Sequence, residues 1–249
     1  MRIDLSRLKN GLIVSCQASP GWPLYGSEYM VRMAIAAKEG GAVALRANGT
    51  EDIIAIKQAV DLPVIGVNKV YKEPPTAFSV NITPNYATAT AIIEAGCDIV
   101  ALDTTARGRS WQDVKDIIAE IRKNYPEVPI MADLSTLEEA LMAAEMGVDI
   151  ISTTLSGYTN TSLGVSEAEG KLLSQYPAGA EPPPDYQLIR DIRAHTKVLI
   201  NAEGRFWEIA QAQEAFRCGA DMITVGSAIT APQKTTKRFY DALKEVHNG

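Results

Sequence analysis

The amino-acid sequence predicts an α/β protein, a single (β/α)8 TIM barrel that spans residues 1–249 as one domain. A chain of this length is typical of one such barrel. Short apolar segments alternate eight times with longer segments of helical character, which is the order of parallel strands and their connecting helices. No predicted strand is followed by a Gly-x-Gly-x-x-Gly turn, and this weighs against an open dinucleotide-binding sheet.

The strands and helices can be placed in order along the chain. Strands are predicted at residues 11–17, 41–46, 63–69, 98–103, 129–133, 149–153, 198–203 and 222–225. Helices are predicted at residues 27–39, 51–60, 87–95, 111–124, 137–146, 186–195, 207–217 and 236–246. Thr50 is the expected N-cap of the second helix. The loop at about 157–184 is long enough for a lid or an oligomer contact.

A recurring pattern supports the barrel. Segments 95–100, 146–151 and 218–223 each contain a glycine, one further residue, an aspartate and the start of an apolar strand. The glycine can end a helix in the left-handed conformation. Segment 39–44 is a looser copy of the same pattern. Repeated helix ends followed by strands are what a closed barrel requires.

Composition narrows the classes of partner and compartment. The net charge of -6 argues against a nucleic-acid or anionic-membrane surface as the main partner. No apolar run approaches the length of a membrane span, and the N-terminus has no signal-peptide pattern. Cys16, Cys97 and Cys218 form no CxxC pair, which is typical of a reduced protein. We expect a cytoplasmic homodimer with no nucleic-acid or membrane partner.

Candidate site residues lie at the carboxyl ends of the predicted strands, where barrel enzymes place their chemistry. These ends carry Gln17, Arg46, Lys69, Asp103, Asp133, Thr154, Glu203, Arg205, Gly226 and Ser227. Cations, carboxylates and hydroxyls in such a mixture could bind an anionic, hydroxyl-rich molecule. Lys69 is the unusual member, because it ends an apolar strand of the kind that is buried on both faces. The alternative is a lysine that reaches from a strand end to solvent.

Several kinds of chemistry are disfavoured by missing residues. The two histidines, His195 and His247, cannot form a metal site with the strand-end carboxylates on this topology, so no metal and no other cofactor is expected. The chain has no Gly-x-Ser-x-Gly elbow and no Walker loop. Cys16 has no histidine partner, so a small core residue is favoured over a catalytic thiol.

Seven segments, in chain order, carry a family resemblance. They are 12–17 (LIVSCQ), 32–37 (RMAIAA), 102–109 (LDTTARGR), 131–136 (MADLST), 152–159 (STTLSGYT), 202–205 (AEGR) and 225–230 (VGSAIT). From about residue 11 to the C-terminal helix, the sequence resembles the N-acetylmannosamine-6-phosphate 2-epimerase family. The resemblance implies a (β/α)8 barrel that uses no metal. It also implies interconversion of N-acetylmannosamine 6-phosphate and N-acetylglucosamine 6-phosphate in sialic acid and amino-sugar catabolism.

The resemblance also implies roles for individual residues. Lys69 would be the base and acid that moves the proton, with Glu203 as its carboxylate partner. The sugar would be held by Gln17, Arg46 and Asp133. The phosphate would be held by the turns at Gly204, Gly226 and Ser227.

Two departures from the family pattern concern the substrate. The family's Ile-Lys-Arg reads Asn68-Lys69-Val70 here, and its Ala-Ile-Thr-Arg-Pro has Ala231 in place of the arginine. That arginine is expected to hold the phosphate. Arg205, which is also a candidate substrate-binding residue, is the first substitute, and Lys234 is the second. A segment around residues 165–183 is also longer than the family pattern predicts.

The residues are suited to epimerisation at C2 independently of the family resemblance. Epimerisation at C2 removes a proton beside the C1 aldehyde and returns it to the other face, which needs one group that acts as base and then as acid. Burial and Arg46 would lower the pKa of Lys69, whereas Glu203 would raise it. Asp133 could instead cap the helix after Ser135. For Gly226 and Ser227 the alternative is a tight turn with a helix cap.

Three hypotheses remain open at this point. The first is a metal-free C2 epimerase of a sugar phosphate. The second is an aldolase or lyase in which Lys69 forms a Schiff base with a keto substrate. The third is a sugar-phosphate-binding regulator without catalysis, or a related epimerase with a different anionic substrate. Ala231 keeps this third hypothesis open.

Overall fold

A computed structural model describes residues 3–70, 80–163 and 182–248, with side chains described as far as residue 244. Eight parallel strands pair in sequential order and close into a barrel, which confirms the predicted fold. The strands are β1 Gly11–Cys16, β2 Ala44–Asn48, β3 Val64–Val67, β4 Ile99–Asp103, β5 Ile130–Asp133, β6 Ile150–Ser152, β7 Leu199–Glu203 and β8 Met222–Val225.

The described helices alternate with these strands. After a short 3-10 helix at Leu5–Leu8, they are α1 Ser27–Glu39, α2 Thr50–Ala59, α3 Tyr86–Glu94, α4 Trp111–Asn124, α5 Leu137–Glu145, α6 Asn160–Leu163, α7 Tyr186–His195, α8 Ile209–Arg217, α9 Ser227–Thr230 and α10 Pro232–Asn248. The short helix α6 lies within the predicted loop at 157–184, and residues 164–181 of that loop lie outside the described residues.

Many boundaries differ from the predicted ones, most of them by one or two residues, and three of the differences have a clear local reason. Strand β2 begins at Ala44 because Gly41 (φ +91°) and Ala42 are used to end helix α1. The Ala42 N–H donates to the Ala37 carbonyl at 3.0 Å. Thr50 is the first residue of α2 rather than its cap, since Gly49 occupies the N-cap position with a φ of +82°. Helix α10 begins earlier than predicted, at a proline, which is favourable in a first helical turn.

Alternation along the strands builds two apolar layers. Residues facing the barrel interior form one cluster, which includes Ile13, Ala44, Ile65, Ile99, Met131, Ile150 and Met222. Their neighbours in sequence pack outward against the helices. Because side chains alternate, the residue two positions after an inner one also faces inward. Arg46 and Asp133 follow Ala44 and Met131 in this way, so the interior becomes polar towards the carboxyl ends of the strands.

The repeated Gly-x-Asp pattern closes the opposite end of the barrel. Its glycines, Gly96, Gly147 and Gly219, have φ angles of +95°, +78° and +108°, as predicted for left-handed helix ends. Asp98 shows what the aspartate does: its Oδ2 accepts from the Val64 N–H at 2.8 Å and from Lys57 Nζ at 2.7 Å. Asp149 and Asp221 make the same two kinds of contact. Each aspartate therefore joins the preceding strand and helix to its own strand.

Among residues 3–70, 80–163 and 182–248, no helix is both long enough and apolar enough to cross a membrane.

Candidate active site

Arg46 lies at the centre of the polar end of the barrel, with its side chain 1% exposed. Its Nη1 donates to Asp133 Oδ1 at 3.0 Å and to Glu203 Oε2 at 2.7 Å, while Nη2 donates to Asp133 Oδ2 at 2.5 Å. Burial alone would lower the pKa of Arg46, but the two carboxylates raise it. Arg46 is therefore a fixed cation held by two strands that lie across the barrel from β2.

Asp133 serves this cluster and does not cap a helix. It accepts both nitrogens of Arg46 and, at 2.5 Å, the Thr154 hydroxyl. The cap of helix α5 is Thr136, whose hydroxyl accepts the Glu139 N–H at 3.3 Å. Thr136, three residues later, therefore caps helix α5 in place of Asp133.

Glu203 is held by Arg46 at the end of β7. Burial raises the pKa of the Glu203 carboxyl, Arg46 lowers it, and Asp133 raises it again. The structure describes both Glu203 and Lys69 and shows no ion pair between them, although the charge of Glu203 raises the pKa of Lys69. Glu203 therefore contacts Arg46 directly and acts on Lys69 through its electric field.

A layer of hydroxyl and amide groups supports these carboxylates from below, and sequence reasoning did not identify it. Asn201 Nδ2 donates to Ser152 Oγ at 2.7 Å, and the Thr224 hydroxyl donates to Asn201 Oδ1 at 2.9 Å. Ser152 and Thr154 share a hydrogen bond of 2.8 Å. Asn201 and Ser152 are each two residues before a strand-end group, so the two-residue period could have indicated them.

Lys69 follows β3 on the same inward-facing series as Ile65 and Val67. Its backbone is fixed on both sides, since its N–H donates to Asn48 Oδ1 at 2.8 Å and it bridges Ile82 in antiparallel fashion. The half-buried side chain loses hydration, which lowers the pKa of Lys69 to about 8 from 10.5. Arg46 lowers this pKa further, whereas Glu203 and Asp133 raise it. An appreciable fraction of the amine is therefore neutral near pH 7.

The pKa of Lys69 predicts a pH dependence. If the neutral amine removes a proton, kcat/KM should rise with pH through an apparent pKa of about 8. The free energy of unfolding should also rise with pH between about pH 8 and 10.5, because in this range the unfolded chain binds more protons at Lys69 than the folded chain does. Glu203→Gln should move the kinetic pKa downward, because Glu203 raises it. A pH–rate profile of both proteins checks this, and a profile that is flat from pH 6 to 10 would contradict it.

Gln17 follows β1 and carries an unsatisfied acceptor. Its Nε2 donates to Ser15 Oγ at 2.9 Å. Its Oε1 is buried and has no hydrogen-bond partner in the described part of the chain. A buried acceptor without a partner is costly, and a donor from a bound molecule would remove that cost. This supports the predicted sugar contact of Gln17.

The turn after β7 gives Arg205 a different environment from the predicted one. Gly204 has a φ of +110° and Arg205 a φ of +65°, so the chain reverses sharply here. Arg205 Nε donates to the Pro183 carbonyl at 3.0 Å, and Nη1 donates to the Ser156 carbonyl. These contacts join the loops after β6 and β7. Substrate binding by Arg205 stays a prediction.

The turn after β8 brings Gly226 and Ser227 against β1. Gly226 precedes α9, and a Cβ added there would lie 3.4 Å from Ser15 Cβ. Thr230 of α9 donates to the Ser15 carbonyl at 2.9 Å, which fixes the turn. Ala231, at the position of the expected arginine, is fully buried and ends α9. Phosphate binding by Gly204, Gly226 and Ser227 stays a prediction.

The negative charge of Asp103 is balanced by arginines of the loop that follows it. Its carboxylate accepts the Thr105 N–H at 2.9 Å and Arg107 Nη2 at 2.6 Å, and Arg109 lies 3.6 Å away. In residues 3–70, 80–163 and 182–248, no three His, Cys, Asp or Glu side chains are grouped as metal ligands would be.

The amine of Lys69 can gain or lose a proton near neutral pH, and the carboxylates beside it are already balanced by Arg46. Such a group can act as base and acid in turn. The fold and these groups together define a (β/α)8 barrel whose strand carboxyl ends carry side chains suited to acid–base chemistry.

Comparison with known proteins identifies the family. Residues 30–245 match the family model described as "Putative N-acetylmannosamine-6-phosphate epimerase". The chain belongs to this family of N-acetylmannosamine-6-phosphate 2-epimerases. A relative of that name from Caldanaerobacter subterraneus subsp. tengcongensis is 44% identical over 98% of this chain and 96% of its own. One from Shouchella clausii is 42% identical over 98% of this chain and all of its own.

A solved structure agrees with these sequences. The N-acetylmannosamine-6-phosphate 2-epimerase from Clostridium perfringens superimposes with a TM-score of 0.82 at 38% identity. The superposition covers 96% of this chain and 95% of that one. The predicted family resemblance is thereby confirmed.

Proposed function

We propose that this chain is an isomerase that interconverts N-acetylmannosamine 6-phosphate and N-acetylglucosamine 6-phosphate. The observation that carries the proposal is Lys69, whose pKa is lowered to about 8 at the mouth of a barrel of this family. The two sugars differ only in configuration at C2, so one proton must leave and return there. The proposed place of the reaction is sialic acid and amino-sugar catabolism.

The reaction needs an acidic C–H bond and one mobile proton. In the open-chain sugar, C2 lies beside the C1 aldehyde. The neutral Nζ of Lys69 takes the C2 proton, and the electron pair of the C–H bond moves into the C1–C2 bond while the carbonyl pair moves to the C1 oxygen. The resulting ammonium returns a proton to the other face of C2, and the carbonyl re-forms. Lys69 ends each cycle neutral.

The surrounding groups have assigned roles in this proposal. Glu203 stabilises the ammonium form of Lys69, because its negative charge raises the pKa of Lys69. The Arg46–Asp133 pair is rigid and presents fixed charges to the sugar hydroxyls. Gln17 Oε1 accepts a hydrogen bond from the sugar, and the turns at Gly204, Gly226 and Ser227 receive the phosphate. Neither a metal nor another cofactor takes part.

The test of this function is conversion of one sugar phosphate into the other. Purified protein is incubated with N-acetylmannosamine 6-phosphate, with and without a chelator, and the product is identified by NMR. We expect N-acetylglucosamine 6-phosphate in both samples. Absence of product would contradict the function, and loss of product with the chelator would contradict the metal-free route. Borohydride trapping followed by mass spectrometry tests the Schiff-base alternative, because only an imine leaves a covalent adduct.

We also propose that the chain forms a homodimer through helix α10. Phe239, Tyr240 and Leu243 are 69%, 55% and 61% exposed and lie along one side of this helix. An apolar stripe of this kind favours burial against a partner. Lys237 and Asp241 lie on the other side of α10 and pair with each other at 2.7 Å, so two antiparallel copies of the helix can pack the stripe against itself without involving these charges. The proposed occupant is therefore a second copy of the chain.

The dimer is tested by the mass of the particle in solution. Light scattering during gel filtration should give twice the chain mass for the native protein. Phe239→Asp with Leu243→Asp should give a single-chain mass, because four charges would then meet in the interface. Ile54→Asp, at an exposed apolar residue on α2, is the control and should remain dimeric. A native single-chain mass, or an unchanged mass in the double variant, would contradict this interface.

A reduced, cytoplasmic location is the last part of the proposal. Cys16, Cys97 and Cys218 are all free and buried. Such thiols persist in a reducing compartment. Cell fractionation tests this location, and recovery outside the cytoplasm would contradict it.

A further inference from the structure

We propose that Lys234, stacked on Trp22, is the side-chain cation that recognises the substrate phosphate in this chain. The inference rests on the proposed function and adds a specificity-determining residue to it. Lys234 would supply the cation that is missing at Ala231, where an arginine was expected. The anion is a phosphate monoester, which is the group that a cation at this rim would contact.

A backbone hydrogen bond joins residue 234 to residue 231, where the arginine side chain is missing. Ala231 is fully buried between α9 and α10 and offers only a methyl group. The Lys234 N–H donates to the Ala231 carbonyl at 2.9 Å, so the two residues belong to one turn. Ala231 has non-helical dihedrals between the two helices (φ −123°, ψ 74°), and Lys234 lies in the first turn of α10. Lys234 is therefore the first cation in the chain after the position of the expected arginine.

Trp22 holds this cation at the rim of the barrel. Nζ of Lys234 lies 4.7 Å from the centre of the Trp22 ring. Trp22 is itself in a turned loop after β1, since its N–H donates to the Ser19 carbonyl at 3.0 Å and its carbonyl accepts the Tyr25 N–H at 3.0 Å. Cation–π contact restrains the flexible lysine, which reduces the entropy lost when an anion binds. The pair spans from the loop after β1 to the helices after β8.

The ammonium of Lys234 acts on the reaction centre. Its positive charge is one of the causes that lower the pKa of Lys69. The two ammonium groups therefore lie close enough to repel, which is unfavourable in a site without an anion. A phosphate that binds at Lys234 screens this repulsion. The proton-moving group and the phosphate-binding group then lie at opposite ends of one substrate.

Two other nearby cations have different functions in the structure. Arg205 donates to the carbonyls of Pro183 and Ser156, so its guanidinium is committed to joining two loops. Lys237 is 60% exposed and binds both oxygens of Asp241, at 3.0 and 2.7 Å. Lys234 is thus favoured over Arg205, the first substitute that the sequence suggested.

The test compares phosphorylated and unphosphorylated substrate in Lys234→Met, which removes the charge and keeps the length. We expect kcat/KM for N-acetylmannosamine 6-phosphate to fall by about 10- to 100-fold, as for loss of a hydrogen bond to a charged group. The value for N-acetylmannosamine should change much less. Lys234→Arg should retain the preference for phosphate. Trp22→Leu should lose roughly 2- to 5-fold, and Lys237→Met is the matched control on the same helix.

The ratio of the two kcat/KM values is the deciding quantity. A change in the pKa of Lys69 in the free enzyme enters the kcat/KM values of both sugars and cancels in that ratio. An unchanged ratio in Lys234→Met, or a native protein that does not prefer the phosphate, overturns the inference while the epimerase function stands. If the native protein converts neither sugar, the proposed function fails, and binding of inorganic phosphate then decides the inference alone. Phosphate should raise the Tm of the native protein and of Lys237→Met more than that of Lys234→Met, and equal shifts overturn the inference.

Discussion

Replacing Lys69 by methionine is expected to lower the rate of C2 epimerisation by ~10²–10⁴-fold, which is the usual cost of removing an acid–base group. The methionine fills similar space but cannot carry a proton. Stability should not fall, because the native amine loses hydration on folding and its pKa is lowered to about 8 as a result. Steady-state rates with N-acetylmannosamine 6-phosphate measure the effect.

The control for this variant is Lys237→Met, which removes an exposed lysine of helix α10. It should keep native activity and a native Tm. Circular dichroism establishes that both variants are folded. Near-native turnover of Lys69→Met in a folded protein would remove Lys69 from the mechanism.

Arg46→Met is expected to produce the largest loss of stability. The substitution leaves Asp133 fully buried and Glu203 14% exposed, without their shared cation. Breaking a buried ion pair costs about 3–5 kcal/mol in the free energy of unfolding. At about 2–4 °C per kcal/mol for a chain of this size, the Tm should fall by roughly 6–20 °C. Thermal unfolding at neutral pH measures the change.

The matched control is Arg217→Met, which breaks an exposed pair with Glu214. An exposed pair contributes about 0–1 kcal/mol, so the Tm should barely move. Arg46 lowers the pKa of the buried Glu203 carboxyl, so this pKa should rise in Arg46→Met and the deficit should shrink as the pH falls. Equal melting of the Arg46 and Arg217 variants would show that the central cluster does not stabilise the barrel.

Much of the barrel could be predicted because its signals are local. A glycine at a helix end and an apolar run each act over a few residues, and Gly96, Gly147 and Gly219 have the expected left-handed angles. The carboxyl ends of the strands follow from strand order, so Lys69 and Arg46 could be assigned to one end of the barrel. Boundaries such as Gly49 and Thr50 were less certain, because either residue can start a helix.

The pairings within the site could not be predicted, because they join residues far apart in sequence. Arg46 binds Asp133 and Glu203 across the barrel, and only the closed sheet brings these strands within reach. Arg205 has a left-handed φ and donates to the Pro183 carbonyl, and the sequence specifies neither feature. The contact of Lys234 with Trp22 likewise depends on how α10 leaves the barrel.

Exchange of the C2 proton with solvent is the most direct test of the central claim, that Lys69 moves this proton. N-acetylmannosamine 6-phosphate is incubated in heavy water with native protein or with Lys69→Met, and the C2 proton signal is followed by NMR. We predict that the native protein replaces this proton by deuterium as the second epimer forms. We predict no exchange above background with Lys69→Met. Exchange at the native rate in a folded Lys69→Met protein would contradict the account.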